Sequence, residues 1–278
     1  MDRILRNMLI TGILLVIFTA STGLFPAQTP VFHQGGENES DIKVPVLMYH
    51  HLLRNDENKR YKGNEIVVSV ENFQKQMDYL HDNGYHTVTL SELSRFLYHG
   101  DTLPEKPVLI TFDDGYYSNY QYAYPILQRY GYTAVVFLVT SKITDEQAPF
   151  DANAITMLSW PIVEKSRDVF EYEAHTHALH EISQNGRSKL TDSSYEGVLK
   201  DLGHSLEHLE NKAFSYPYGF YNDTVIKALR KKGFELAFTV RSGYVKRGSD
   251  PYQLPRFNIR PNCSLESFIG MVNGSWVP

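Results

Sequence analysis

The sequence predicts a single α/β domain built as a distorted (β/α)7-type barrel, and three observations lead there. From Val44 onward, short apolar runs alternate with amphipathic stretches seven or so times, the pattern of parallel strands joined by helices. Roughly 240 residues remain after an N-terminal segment, a length that suits one large α/β domain better than two small ones. Several apolar runs end in unusual polar residues, and in such barrels the chemistry sits at the C-terminal ends of the strands.

Val44–Leu52 is a short apolar run, hence a buried strand. Ser69 caps a helix reaching Asn83, with Phe73, Met77 and Leu80 on one face and Gly84 as its stop. His86–Thr89 is a short strand, and Thr89 with Glu92 forms a capping box for the next helix. Pro107–Phe112 is a strand, followed by a tyrosine-rich helix to Tyr130 that ends at Gly131. Tyr116, Tyr117, Tyr120, Tyr122 and Tyr124 crowd this region, and at helical spacing they read mainly as packing. Thr133–Thr140 is β-branched and apolar, another strand. Ser159 caps a short helix with Pro161 near its start, and Val169–Ala174 is strand-like. Asp192–Glu210 is a helix with Leu199, Leu202, Leu206 and Leu209 on one stripe. Ala213–Tyr216, Leu236–Val240 and Leu254–Ile259 complete the strands; Asn222–Lys232 and Leu265–Val272 complete the helices.

Composition narrows the class. The 278 residues are 42% hydrophobic and 21% charged, enough apolar material for a sizeable core, and the net charge is -5. A nucleic-acid footprint needs a basic face, which this balance does not suggest. The single cysteine, Cys263, excludes an intramolecular disulfide and reads as a small hydrophobe. Arg3 and Arg6 precede an apolar run from Met8 to Phe25, the pattern of an export signal. The run also suffices to span a membrane if left uncleaved. The expected organisation is therefore a signal or membrane anchor over 1–27, a polar linker over 28–43 and one domain over 44–278.

Four strand ends carry the candidate chemistry. Asp113 and Asp114, in Thr111-Phe112-Asp113-Asp114-Gly115, are adjacent carboxylates that are costly at the end of an apolar strand unless paired or metal-bound. A regular strand would point them to opposite faces, and Gly115 lets the chain turn so that both reach one site; alternatively Asp114 caps the following helix. His175-Thr176-His177-Ala178-Leu179-His180 follows a strand directly. Such a cluster is compatible with a two-histidine, one-carboxylate metal site that leaves positions open. Tyr49-His50-His51 ends the first strand, and Ser215-Tyr216-Pro217-Tyr218-Gly219 ends a later one. The latter turn can present a backbone N–H and an aromatic face, or be an ordinary turn.

Together these segments resemble the polysaccharide deacetylases of carbohydrate esterase family 4, the NodB homology domain, over about residues 44–262. The Thr-Phe-Asp-Asp-Gly run is the most specific point of likeness. The resemblance implies Asp113 as general base and Asp114 as metal ligand. The family most often spaces its two ligand histidines four apart, but the residue four after His175 is Leu179. A branch acting on biofilm poly-N-acetylglucosamine spaces them five apart, which implies His175 and His180. In that branch the strand order is permuted and a Tyr-His near the start supplies the general acid, implying His50. The third motif is similar to Tyr216-Pro217-Tyr218-Gly219 and implies the Tyr218 N–H in the oxyanion hole. Its usual arginine is absent, and Arg256 is the expected replacement that orients Asp113. The family's late Leu-x-His is also absent, since no histidine follows His208.

The implied activity is metal-assisted removal of N-acetyl groups from an amino-sugar polysaccharide (poly-N-acetylglucosamine, peptidoglycan or a chitin-like polymer) by an exported, monomeric enzyme. Zinc is the expected metal, with Co2+, Ni2+, Mn2+ or Fe2+ compatible. A glycoside hydrolase using Asp113 and Asp114 is a rival, but it needs carboxylates about 5 Å or more apart and leaves the histidines idle. A catalytically silent polysaccharide-binding module and an O-acetyl xylan esterase compete as well.

Overall fold

In the computed structural model, which describes residues 42–184, 186–210 and 212–277, the first apolar run forms the buried strand β1 (Val44–Tyr49). The expected signal or anchor and nearly all of the expected linker lie outside the described residues. Among the described residues no helix is long and apolar enough to cross a membrane. β2 (His51–Leu53) and β3 (Val67–Ser69) form a small separate parallel ladder. α1 (Val70–Asp82) follows, its first turn capped by the Ser69 hydroxyl, which accepts the Asn72 N–H at 3.1 Å. β4 (His86–Thr87) leads into α2 (Leu90–Tyr98), opened by the reciprocal Thr89–Glu92 capping box. β5 (Pro107–Asp114) runs through a five-residue π-helix, Asn119–Ala123, into α3 (Tyr124–Tyr130). The order continues with β6 (Ala134–Leu138), α4 (Trp160–Lys165), β7 (Phe170–Ala174), α5 (Lys189–Asp192), α6 (Tyr195–Ser205), β8 (Ala213–Ser215), α7 (Asp223–Lys231), β9 (Leu236–Phe238), β10 (Tyr244–Val245), β11 (Phe257–Asn258) and α8 (Leu265–Val272).

Parallel ladders join β11, β1, β5, β6, β7, β8 and β9 in that order. A lone parallel bridge from Phe238 to Leu254 ties β9 to the segment entering β11, so the ring closes irregularly. Two bonds make that closure, from the Thr239 N–H to the Leu254 carbonyl and from the Leu254 N–H to the Ala237 carbonyl. The expected distorted (β/α)7-type barrel is what forms. Period-two alternation sorts the strand side chains. Val46, Leu109, Val135, Phe137, Ala213, Leu236 and Phe238 fill the interior with Leu90, Leu93 and Phe96 of α2. Leu47, Ile110, Phe112, Val136, Phe170 and Phe214 face outward against the surrounding helices. The register aligns Asp114, Leu138, Ala174 and Phe214 across β5 to β8. The residues that leave β7 and β8 therefore emerge beside Asp114.

Several expected elements differ, each for a local reason. The tyrosine-rich helix begins as a π-helix: Pro125 has no N–H to continue the regular ladder, and the Tyr124 N–H instead reaches the Asn119 carbonyl five residues back. The helix expected over Asp192–Glu210 is shorter, α6 at Tyr195–Ser205: the preceding α5 ends at Asp192, and the Ser194 hydroxyl accepts the Gly197 N–H and starts α6. The strand expected over Leu254–Ile259 is paired only at Leu254 and across β11, because Arg256 sits between these pairings with its N–H on the Arg241 carbonyl. Ser159 stands at the start of α4 but its hydroxyl makes no capping bond. Cys263 is free and half-buried.

The run expected as one strand over Val44–Leu52 breaks at His50. The Asn119 amide donates to the His50 carbonyl at 2.8 Å. The Ser118 hydroxyl accepts the Leu52 N–H at 3.1 Å and meets His51 Nδ1 at 2.7 Å. His50 stays half-exposed while His51, 1% exposed, stacks on Tyr116. Burial lowers the His51 imidazole from 6.5 to about 4. A depressed histidine stabilises the fold fully only above its unfolded value, so this contribution is lost as pH falls from about 6.5 toward 4. The excess unfolding free energy of the parent over His51→Phe, measured by urea denaturation, should shrink between about pH 7 and about pH 5. A difference that is flat across that range contradicts the assignment.

Candidate metal centre

Each site residue arrives at the end of a barrel strand, and the chain turns sharply there. Among the described residues four non-glycine residues have positive φ, and three of them are Asp114 (77°), Thr176 (72°) and Tyr218 (56°). Such left-handed backbone is strained for side chains other than glycine and clusters at functional sites. The turn expected at Gly115 therefore begins one residue earlier, at Asp114. Gly115 follows with φ 84°, where an L side chain is strained and a Cβ, 2.7 Å from Leu138 Cδ2, would displace that buried side chain. The two consecutive left-handed residues swing Asp114 onto the same side as Asp113.

Three donor atoms converge. His180 Nε2 lies 3.1 Å from Asp114 Oδ1, His175 Nε2 lies 3.6 Å from the same oxygen, and the two imidazole nitrogens are 3.1 Å apart. Ligands about 2.0–2.2 Å from one tetrahedral ion sit about 3.3–3.5 Å from each other, so this triangle has the dimensions of one face of such a shell. His175 Nδ1 donates to the Ser215 carbonyl at 2.7 Å, and a carbonyl can only accept. Nδ1 thus carries the proton, and Nε2 presents its lone pair to the triangle. Burial lowers the His175 imidazole to about 4, which keeps it in the neutral, ligating form. Burial would raise the Asp114 carboxyl, but the His180 hydrogen bond first, and the other imidazoles facing it, hold it well below the usual carboxylate range. These residues form one cluster able to hold a cation.

Asp113 sits beside them, its Oδ2 4.0 Å from His175 Nε2. Arg256 grips it in a bidentate fork, Nη1 to Oδ1 at 2.8 Å and Nη2 to Oδ2 at 2.7 Å. The other donors of Arg256 go to Thr111 Oγ1, Ser215 Oγ and the Thr239 carbonyl, so all five N–H groups are satisfied. The guanidinium lies over Phe137 and Phe238 at the top of the barrel interior. Burial would push the Asp113 carboxyl up, but Arg256, then His175 and His50, hold it at about 2. Asp113 is ionised across the physiological range.

The expected site residues gather: Asp114, His175 and His180 meet one another, Asp113 lies beside His175, Arg256 grips Asp113, and the Tyr218 ring packs 4.7 Å from that of His180. His50 lies close enough for its charge to favour ionisation of both aspartates. His177, the extra histidine, turns away; its Nδ1 meets Thr140 Oγ1 at 3.0 Å and its ring faces His204. Two contributors have no role that the sequence alone assigns. Ser215 holds Asp113, Arg256 and His175 together, and Tyr116 lies beside Asp114, burial first and that carboxylate second raising its phenol well above the ordinary value. A hydroxyl closing a three-residue buried strand is the one sequence signal for Ser215.

Removing one partner of the buried pair strands a charge in the barrel. Arg256→Met should cost about 3–5 kcal/mol in denaturant unfolding, with part regained in Arg256→Met/Asp113→Asn, which removes the stranded carboxylate. A cost under about 1 kcal/mol, the range of an exposed pair, contradicts this.

The family profile described as polysaccharide deacetylase matches residues 100–237. YxkH of Bacillus subtilis, whose name places it among the polysaccharide deacetylases, is 33% identical over 238 residues, 84% of this chain and 77% of that protein. The poly-beta-1,6-N-acetyl-D-glucosamine N-deacetylase of Staphylococcus epidermidis is 29% identical over 266 residues, 87% of this chain and 90% of that one. The solved structure of IcaB from Ammonifex degensii aligns with a TM-score of 0.70 at 27% identity, covering 84% of this chain and 97% of that one. With this identity, this barrel and this cluster at its strand ends, the chain belongs to the polysaccharide deacetylases of carbohydrate esterase family 4.

Proposed function

We propose that this deacetylase uses a divalent metal to hydrolyse the N-acetyl amides of an amino-sugar polymer outside the cytoplasm. Poly-N-acetylglucosamine is the first candidate, followed by peptidoglycan and chitin-like chains. The convergence of Asp114, His175 and His180, with Asp113 beside them, carries the reading. The substrate named for the Staphylococcus epidermidis relative favours the first polymer. Residues 1–27 act as export signal or membrane anchor, 28–43 as linker and 44–278 as the catalytic domain, working as a monomer.

One carboxylate and two imidazoles suit Zn2+, with Co2+, Ni2+, Mn2+ and Fe2+ also accommodated. When bound at Asp114, His175 and His180, the ion supplies Lewis-acid polarisation and makes water acidic enough to attack near neutral pH. Asp113 is the general base. Its Oδ2 accepts from both Arg256 and Ser215, whereas Oδ1 accepts from Arg256 alone. A lone pair on Oδ1 is thus left to take the proton from the attacking water. Arg256 fixes the carboxylate plane and keeps it ionised. The Tyr218 N–H stabilises the developing oxyanion, and the exposed Tyr218 ring offers a face to the sugar. His50 delivers a proton to the leaving amine.

The test is acetate release from partially purified poly-N-acetylglucosamine, peptidoglycan and chitooligosaccharide, with added Zn2+ or Co2+ and with EDTA. Activity should be highest on the first polymer, vanish with EDTA and return with metal. Asp113→Asn should lose about 10²–10⁴-fold in kcat while still binding metal. Chelator-resistant activity, or undiminished turnover in Asp113→Asn, refutes the mechanism.

A further inference from the structure

The chain between the two histidines follows an unfavourable path. Thr176 is β-branched yet left-handed, and its buried hydroxyl has no hydrogen-bond partner. That side chain cannot tether the segment, so backbone contacts must hold it. Its carbonyls are taken from one side: the Thr140 N–H donates to the Thr176 carbonyl and the Ser141 N–H to the His177 carbonyl, each at 3.2 Å. Its N–H groups are taken from the other side by one carboxylate. Asp201 Oδ2 accepts the His177 N–H and Oδ1 accepts the Ala178 N–H, both at 2.8 Å. Asp201 is only 7% exposed, on α6, whose neighbouring inward residues Val198, Leu202 and Ser205 are fully buried. A rigid helix therefore presents both carboxylate oxygens to consecutive N–H groups midway between His175 and His180.

Five-residue spacing leaves four residues to loop out while the two imidazoles return to 3.1 Å from each other. With two N–H groups clamped to one helix, the loop has one curvature, and His180 is held facing His175. We propose that Asp201 is a positioning residue of the metal centre, setting the loop so that both imidazoles are gathered before a cation arrives. This rests on the reading of Asp114, His175 and His180 as ligands. Asp201 touches none of the three donor atoms and acts only through the backbone.

The experiment is titration of the chelator-stripped, otherwise intact protein with Co2+, followed by its visible absorption, alongside thermal unfolding of the metal-free forms. The parent is compared with Asp201→Ala, Asp201→Asn and a His175→Ala control. Outer partners of ligand-bearing segments commonly control metal affinity by 10–100-fold, so Asp201→Ala should bind Co2+ about 10–100-fold more weakly. Asp201→Asn should fall between, since its amide oxygen accepts one N–H while its NH2 opposes the other. If Asp201→Ala does not fold, Asp201→Asn carries the test. Affinities within about twofold of the parent, whatever the melting temperatures, would leave Asp201 a merely structural residue and overturn the proposal. A parent that binds Co2+ no better than His175→Ala would overturn the metal reading and this inference together.

Discussion

A guanidinium with 0% exposure at the top of a barrel is tolerable only if every donor is used and its charge is met. Arg256 meets both conditions: its five N–H groups end on Asp113, Thr111, Ser215 and the Thr239 carbonyl. Those partners lie on β5, on β8 and just after β9, while Arg256 itself lies in the segment that closes the ring. One side chain thus ties the closing segment, held to β9 by a lone bridge, to β5 and β8 as well. The same contact sets the plane and charge of Asp113. The constraint that helps close the fold also fixes the orientation and ionisation of Asp113.

Around this anchor two chemically identical neighbours diverge. Asp113 faces a permanent cation and is held by a rigid fork; Asp114, turned by its own left-handed backbone, faces imidazoles instead. Their partners, not their side chains, give the two carboxylates different surroundings. Ser215 couples the two halves, since its hydroxyl reaches Asp113 and Arg256 and its carbonyl fixes the tautomer of His175. Strain at Asp114, Thr176 and Tyr218 fits this view. Each left-handed residue redirects a strand end toward the common point, and a well-packed barrel with 0%-exposed strands below supplies the rigidity that keeps it there.

Much of this is legible in the residues. Strand–helix alternation exposes the barrel because period-two and period-3.6 burial leave different traces in the chain. Asp113, Asp114, His175 and His180 stand out because charged and ligating groups at apolar strand ends require a reason. Where sequence and structure part, non-local bonds decide. The break at His50 depends on Ser118 and Asn119, more than 65 residues away. The reduced pairing of Leu254–Ile259 depends on what Arg256 must reach. Asp201 looks like any polar residue of a helix until that helix is docked on the histidine loop.

Order along the chain by itself determined the α/β class, the strand ends that carry the chemistry and the types of group available there, because burial periodicity and side-chain chemistry are local properties. Only the tertiary structure decided which histidines converge, which way each aspartate faces and what meets the buried charge of Arg256. Those outcomes depend on strand register and on hydrogen bonds between residues far apart in sequence, and no local pattern encodes a distance across a barrel.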